Sequence, residues 1–328
     1  MPALILTRAD VARLLTLDDC ILAVEDAFRQ HALGSAVPPS VLAVHADEGA
    51  FHIKAAGVRT PRPYFAAKIN GNFSANRERH GLPTIQGVIV LADLETGTPL
   101  AIMDAIEITI QRTGAATAVA VKHCSRDVPS VVTIAGCGRQ GRIQLRSVAA
   151  VRTIVEVHAY DTNTDAARRF ATEMAPVVGA PIHVATHLSD ALSHSDIVVT
   201  CTTSRAAIVT HGDVKPGTFI AAVGADNPEK QEIDPALLAA SCVIADVLDQ
   251  SATIGDVHHA IKAGVMRRED VYAELGEIVV GRKLSQKDHN HISVFDCTGM
   301  ALQDVVSAAL VYERARERRI GVAVDINL

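Results

Sequence analysis

The sequence predicts an α/β protein in which a doubly wound parallel sheet is preceded by a separate, mostly antiparallel unit. Three observations carry this reading. From residue 131 onward, short apolar runs rich in β-branched residues recur between helical stretches: VVTIAG, TIVEVHAYD (153–161), PIHVAT, DIVVTCT, TFIAAVGAD and SCVIADVL. Strands that are apolar on both faces and alternate with helices mark a parallel sheet. Before residue 117, by contrast, YFAAKIN (64–70), TIQGVIVLAD (84–93) and PLAIMD (99–104) are spaced as strands, with Glu95-Thr96-Gly97-Thr98 as a turn between the last two. The third observation is VVTIAGCGRQGRIQ (131–144), a strand that runs into Gly136-x-Gly138-x-x-Gly141 and then into a helix-compatible segment.

The 328 residues, 48% of them hydrophobic, suffice for two ordinary cores. A net charge of -6 argues against nucleic acid, and the one basic run, RARERR (314–319), reads as a solvated helix end. The N-terminus has no basic region ahead of its apolar residues, and no apolar run approaches the ~18 residues a membrane span requires. Six cysteines stand far apart with no C-x-x-C pair, so reduced thiols in a cytoplasmic protein are expected. Near the C-terminus, Leu302, Val305, Val306, Ala309 and Leu310 form a helical stripe that must bury against something.

A dinucleotide site uses glycines to turn tightly and to let the backbone approach a pyrophosphate, while the following helix offers unpaired N–H groups to the anion. Gly136, Gly138 and Gly141 meet those roles. Asp161 ends the next strand, where an acid can bind a ribose 2′-hydroxyl and would repel a 2′-phosphate. NAD(H) is therefore expected over NADP(H). Arg168 and Arg169 in the following helix read first as a solvated face.

Substrate groups should come from the first 116 residues or from strand ends at the cleft. Read as a helix, residues 104–123 place Ile108, Arg112, Ala115 and Val119 on one face and Glu107, Gln111 and Lys122 on a polar one. A guanidinium on an apolar stripe needs an anion: a substrate carboxylate, a cofactor phosphate or an internal aspartate would each serve. Lys68 shares a strand face with Tyr64, Ala66 and Asn70, and Lys54 one with His52. Snorkelling to solvent is the alternative for both lysines.

Several motifs in order make the sequence similar to the ornithine cyclodeaminase/mu-crystallin family over nearly its whole length. They are GLPT (81–84), ETGTPLAIMDA (95–105), RTGAA (112–116), the GCGRQG loop, VGADNPEKQEI (223–233) and FDCTGMALQD (295–304). The resemblance implies a substrate and dimerisation domain over 1–116, completed by a C-terminal helix within 301–328, with an NAD-binding Rossmann domain over 117–300 inserted between them. That insertion would explain a glycine fingerprint that begins only after 130 residues. The resemblance also implies a homodimer built through the N-terminal domain and an α-amino or α-imino acid substrate. In it Lys68 and Arg112 hold the carboxylate, with Lys54 and Thr84 assisting, and Asp226 stands near the reacting nitrogen. Arg139, Gln140, Thr113, Thr298 and Gly299 join the three glycines and Asp161 at the cofactor. Many relatives carry an arginine after a Pro-Pro pair, whereas here Ser40 follows Pro38-Pro39, and Lys54 is expected to take over that charge.

The expected activity is NAD(P)H-dependent reduction of an α-imino acid to an α-amino acid, or the reverse dehydrogenation. Two alternatives share the same motifs: a cyclodeaminase that uses bound NAD+ catalytically to convert ornithine to proline and ammonia, and a low-turnover cofactor-binding protein of the crystallin kind. The missing arginine and the resemblance of QSATIGDVHHAIKAG (250–264) to reductase branches of the family favour the reductase. His258-His259 and His289-Asn290-His291 lack a carboxylate or cysteine set, so no metal is expected. Cys137 reads as a small packing residue.

Overall fold

The computed structural model describes residues 2–59 and 62–326 and divides into two compact units. The first runs to Arg112 and resumes at Met300; the second is Thr113–Gly299. The expected boundaries, 116/117 and 300/301, lie within about one helical turn of these divisions.

In the first unit a seven-stranded sheet has the order Val322–Val324, Ala3–Leu6, Pro99–Asp104, Ile85–Asp93, Tyr64–Asn72, Gly49–Val58, Ala36–Ala46. Only the pairing of Ala3–Leu6 with Pro99–Asp104 is parallel. The turn between the last two strands read from the sequence closes as expected, with Asp93 Oδ1 accepting from the backbone N–H of Glu95 and Thr96. The edge strand Ala36–Ala46 was not anticipated, because it contains Pro38 and Pro39. Proline removes a ladder donor and is tolerated only at an edge or a bulge. Both conditions hold here, since the register shifts between Val37 and Ser40.

Helices Leu17–Ala32 and Ala301–Arg318 pack against each other, and the second also lies on strands Gly49–Val58 and Tyr64–Asn72. The C-terminal stripe is wider than the sequence suggested: Leu302, Val305 and Ala309 are buried as expected, but so are Gln303, Asp304, Ser307 and Tyr312. This helix is the centre of the first unit's core.

The second unit holds an eight-stranded, all-parallel sheet in the order Ala273–Glu274, Cys242–Ala245, Ser293–Asp296, Phe219–Ala222, Ile197–Thr200, Ser130–Ala135, Ile154–Tyr160, Ile182–Val184. The first strand in sequence, Ser130–Ala135, lies between Ile154–Tyr160 and Ile197–Thr200. The winding reverses there, and a doubly wound sheet opens its crevice at such a point. Ser293–Asp296 is threaded between strands Phe219–Ala222 and Cys242–Ala245.

Helix Ala105–Cys124 starts where Asp104 Oδ1 accepts from the N–H groups of Ile106 and Glu107, a side-chain cap. Its expected polar face needs correcting. Gln111 is buried, and every residue from it to Val121 is buried as well. Packing on all sides replaces the amphipathic pattern, as it does for helices inside a core. Gly114 allows this on one side, because a Cβ there would fall against Ser147 and Ile143 of helix Arg139–Val151.

Candidate active site

In the first unit, Lys68 and Arg112 converge on a carboxylate that sequence reading did not single out. Lys68 Nζ lies 2.7 Å from Asp304 Oδ2, and Arg112 Nε donates to Asp304 Oδ1 at 3.1 Å. Arg112 Nη1 also donates to Gln303 Oε1 at 3.2 Å, and Lys68 Nζ to Thr109 Oγ1 at 3.4 Å. The three charged side chains are only 4%, 8% and 2% exposed, so Lys68 does not snorkel to solvent. Of the anions Arg112 was expected to need, the internal aspartate is the one in contact. Asp304 closes the FDCTGMALQD motif but lies off the apolar stripe of Leu302, Val305, Val306, Ala309 and Leu310, so the periodicity gave no sign of it.

Burial pulls the Lys68 ammonium down to about 7 against the pull of Asp304, with Arg112 and Lys54 pushing in the same direction as burial. For Asp304 the order is reversed: burial raises its carboxyl pKa, but Lys68 and Arg112 outweigh this and hold it below the ordinary aspartate value. Lys54 stands directly across from Lys68 in the ladder and therefore on the same face.

Ser40 pairs with Ala55 rather than with Lys54, so it points to the opposite face of the sheet. An arginine at position 40 would stand away from Lys68, and the expected substitution of Lys54 for it is not a matter of shared position. Thr84 lies just outside the strand that begins at Ile85, with its carbonyl accepting from Phe73 N, whereas Lys68 is level with Ile89. The fold does not bring Thr84 to the Lys68 carboxylate partner.

In the second unit, the glycine loop has the geometry its sequence implies. Gly136 has φ +104° and donates its N–H to Tyr160 O at 2.8 Å. A Cβ on Gly141 would collide with the Gly136 carbonyl, while a Cβ on Gly138 would project into open space. Gly138 caps helix Arg139–Val151, whose first turn contains Arg139, exposed, and Gln140, half-buried. Asp161 is tied to the loop, with Oδ2 accepting from Cys137 N and Oδ1 from Asn163 N, each at 2.9 Å. Open space over Gly138, free first-turn N–H groups and a carboxylate at the end of the second strand together fit a dinucleotide. Arg168 is exposed and pairs with Asp165.

Thr298 and Gly299 follow strand Ser293–Asp296 and are anchored on Asp246, to Oδ1 at 2.9 Å and Oδ2 at 2.6 Å respectively. Thr113 is buried in the long helix. Asp226 lies in the loop after strand Phe219–Ala222, 53% exposed, with Lys230 Nζ 2.7 Å from Oδ1. Cys137 is buried with its thiol pushed up to about 12, mainly by burial, which suits packing rather than nucleophilic attack. Among the described residues, no group of three or more His, Cys, Asp or Glu is arranged to hold a metal ion, and no helix is long and apolar enough to cross a membrane.

Asp304 neutralises two buried cations, so its replacement should be felt first in stability. Removing one partner of a buried pair leaves uncompensated charge and costs ~3–5 kcal/mol. Asp304→Asn is expected to lower the unfolding free energy in urea by about that amount. A change within the scatter of ordinary surface substitutions would show that the two cations do not depend on it.

The profile of the ornithine cyclodeaminase/mu-crystallin family matches residues 1–319. Alanine dehydrogenase of Archaeoglobus fulgidus is 37% identical over 321 residues, 98% of each chain. A solved archaeal alanine dehydrogenase, a dimer with bound NAD, superposes with a TM-score of 0.95 at 37% identity over 99% of this chain and 100% of that one. The Δ1-pyrroline-2-carboxylate reductase of Thermococcus litoralis, solved with NADH and L-proline, gives 0.92 at 32% identity over 98% and 100% of the two chains. Iminosuccinate reductase of Paracoccus denitrificans is 31% identical over 324 residues, 98% of this chain and 100% of its own. These relatives are oxidoreductases of amino and imino acids, and solved members hold NAD or NADH. By the match along its length and by these relatives, the chain belongs to the ornithine cyclodeaminase/mu-crystallin family.

Proposed function

We propose that this protein reduces an α-imino acid to an α-amino acid with NADH, and runs the reverse dehydrogenation when products favour it. The observation that carries the reading is the charge count at Asp304: two buried cations, Lys68 and Arg112, share one carboxylate. A substrate α-carboxylate supplies the anion that the pair lacks, and a desolvated guanidinium binds it with directed hydrogen bonds. Lys54, across the ladder from Lys68, adds to the positive field. Burial brings Lys68 down to about 7, so it is also able to carry a proton at neutral pH.

The dinucleotide's pyrophosphate is assigned to Gly136, Gly138, Arg139, Gln140 and Gly141, and its ribose to Asp161. Thr113, Thr298 and Gly299 complete its contacts. When bound, the nicotinamide supplies the hydride. Asp226 handles the proton at the substrate nitrogen, and its half-exposed carboxyl can be reloaded from water. Lys230 holds the carboxylate in place. Six free cysteines suit a reducing compartment, the cytoplasm.

The antiparallel sheet supports a dimer. On the face opposite Lys68, the aligned residues Leu42, Ile53, Ile69 and Val88 form an apolar row across four strands, with Val44 and Phe51 beside it. Leu42 is 56% exposed and Val88 41%, and a contiguous apolar face of this kind marks an interface. A second copy is its proposed occupant, so Ile69→Glu should halve the mass seen in sedimentation; an unchanged mass would place the interface elsewhere.

Asp161 sets the cofactor prediction. Titration by fluorescence should show tighter binding of NADH than NADPH, since a carboxylate accepts from a hydroxyl and repels a phosphate. Equal or reversed affinities would assign control to Arg168 or Arg169.

The reaction class is decided by stoichiometry. A reductase consumes one NADH for each imine reduced, because the hydride leaves with the product. Asp226→Asn should lower turnover by ~10²- to 10⁴-fold while NADH binding persists, since the amide keeps the shape but cannot carry the proton. Ammonia released from ornithine with catalytic NAD+ and no net absorbance change would replace this reading with a cyclodeaminase. No turnover across a panel of imino acids would leave a cofactor-binding protein.

A further inference from the structure

Four carboxylates buried at the carboxyl end of the parallel sheet have no part in the chemistry above: Glu232, Asp246, Asp256 and Asp296. A buried carboxylate is costly unless its oxygens are hydrogen-bonded, and each of these accepts from backbone or side-chain donors nearby, although Asp256 Oδ2 has no partner among the described residues. Asp296 accepts from the N–H groups of Asp256 and Val257 at 3.2 and 3.0 Å, and Asp256 Oδ1 from those of Glu232 and Ile233 at 2.8 and 2.9 Å. The backbone under Glu232 is thereby fixed.

Glu232 differs from the others in joining two separate loops. Its Oε1 accepts from Thr202 N at 2.6 Å and Thr202 Oγ1 at 2.7 Å, while its Oε2 accepts from Thr200 Oγ1 at 2.7 Å and Gly224 N at 2.8 Å. Two backbone N–H groups and two threonine hydroxyls face the two oxygens, and these bonds oppose the burial that raises the Glu232 carboxyl pKa. Gly224 lies two residues before Asp226, and it has no room for a side chain: a Cβ there would fall against the Glu232 carboxyl group. The contact is therefore tight from both sides.

We infer that Glu232 is a positioning residue that clamps the loop 223–230 to the end of strand Ile197–Thr200 and so sets the place of Asp226. The inference rests on the proton role assigned to Asp226 above. Glu232→Gln tests it with little change of shape, because the amide puts an N–H donor where an oxygen faced the N–H of Gly224 or the donors of Thr202.

The variant should lose about 10²-fold in kcat, the cost of a displaced catalytic group, while KM for the imino acid and NADH affinity stay near wild type. Asp226→Asn supplies the second arm. If Glu232 acts through Asp226, adding Glu232→Gln to Asp226→Asn costs no further turnover, whereas an independent structural role gives additive losses. Hydrogen exchange supplies the third, since the peptide 223–230 should exchange faster in Glu232→Gln than in wild type. Gly224→Ala attacks the same contact from the other side and should reproduce the kcat loss and the faster exchange even if Glu232→Gln fails to fold. Additive losses, or unchanged exchange over 223–230, would overturn the inference. A wild-type protein inactive on every imine would instead refute the proposed reaction, and the exchange measurement would still decide whether Glu232 holds the loop.

Discussion

Two buried cations resting on one carboxylate are the constraint around which the first unit is built. Lys68 comes from a central strand, Arg112 from the long helix that leaves the unit and Asp304 from the helix that returns to it. Arg112 and Asp304 are 192 positions apart in sequence, so the ion pair ties together the two ends of the excursion that forms the second unit. Burying such charges costs several kcal/mol per ion before pairing repays it, which makes the arrangement a poor device for stability alone. It fits the recognition role proposed above, in which a substrate carboxylate joins Asp304 in facing Lys68 and Arg112 away from water.

The second unit solves a different problem with related means. The glycine loop presents backbone N–H groups and open space to an anion, and Asp161, itself held by Cys137 N, ties the second strand's end to the loop. Around the other strand ends the buried carboxylates hold the chain in place: Asp246 accepts from the Thr298 hydroxyl and Gly299 N–H, Asp256 from the strand bearing Glu232, and Glu232 from Gly224 N–H. Loops at a sheet's carboxyl edge carry most of the chemistry in such folds, and rigid supports give them their precision. The first unit buries two cations around one carboxylate, and the second buries carboxylates that accept from the chain around its strand ends.

The parallel sheet was legible in the sequence because its strands are buried on both faces and read as continuous apolar runs. The glycine fingerprint was legible because its order of strand, loop and helix is local. Ser293–Asp296 was harder to see: four residues are too few to show a period, and its place between two earlier strands depends on distant pairing. The edge strand Ala36–Ala46 was hidden by Pro38-Pro39, and the burial of Gln111 by a helix that packs on every side. Arg112 announced that it needed an anion, but nothing near it in sequence said which. Asp304 answers only once the chain has folded back, while Thr84, close to Lys68 in sequence terms, lies off the end of its strand.

The central claim is that Lys68 is a buried, under-neutralised cation awaiting a carboxylate. Titration of its side-chain ammonium by NMR in lysine-labelled protein, assigned with Lys68→Arg, tests this most directly. The account predicts a midpoint of about 7 in the free protein, far below the ordinary lysine value of 10.5, and an upward movement when an α-amino acid product is added, because the incoming carboxylate favours the charged form. A Lys68 that titrates near 10.5 and does not respond to the amino acid would contradict it.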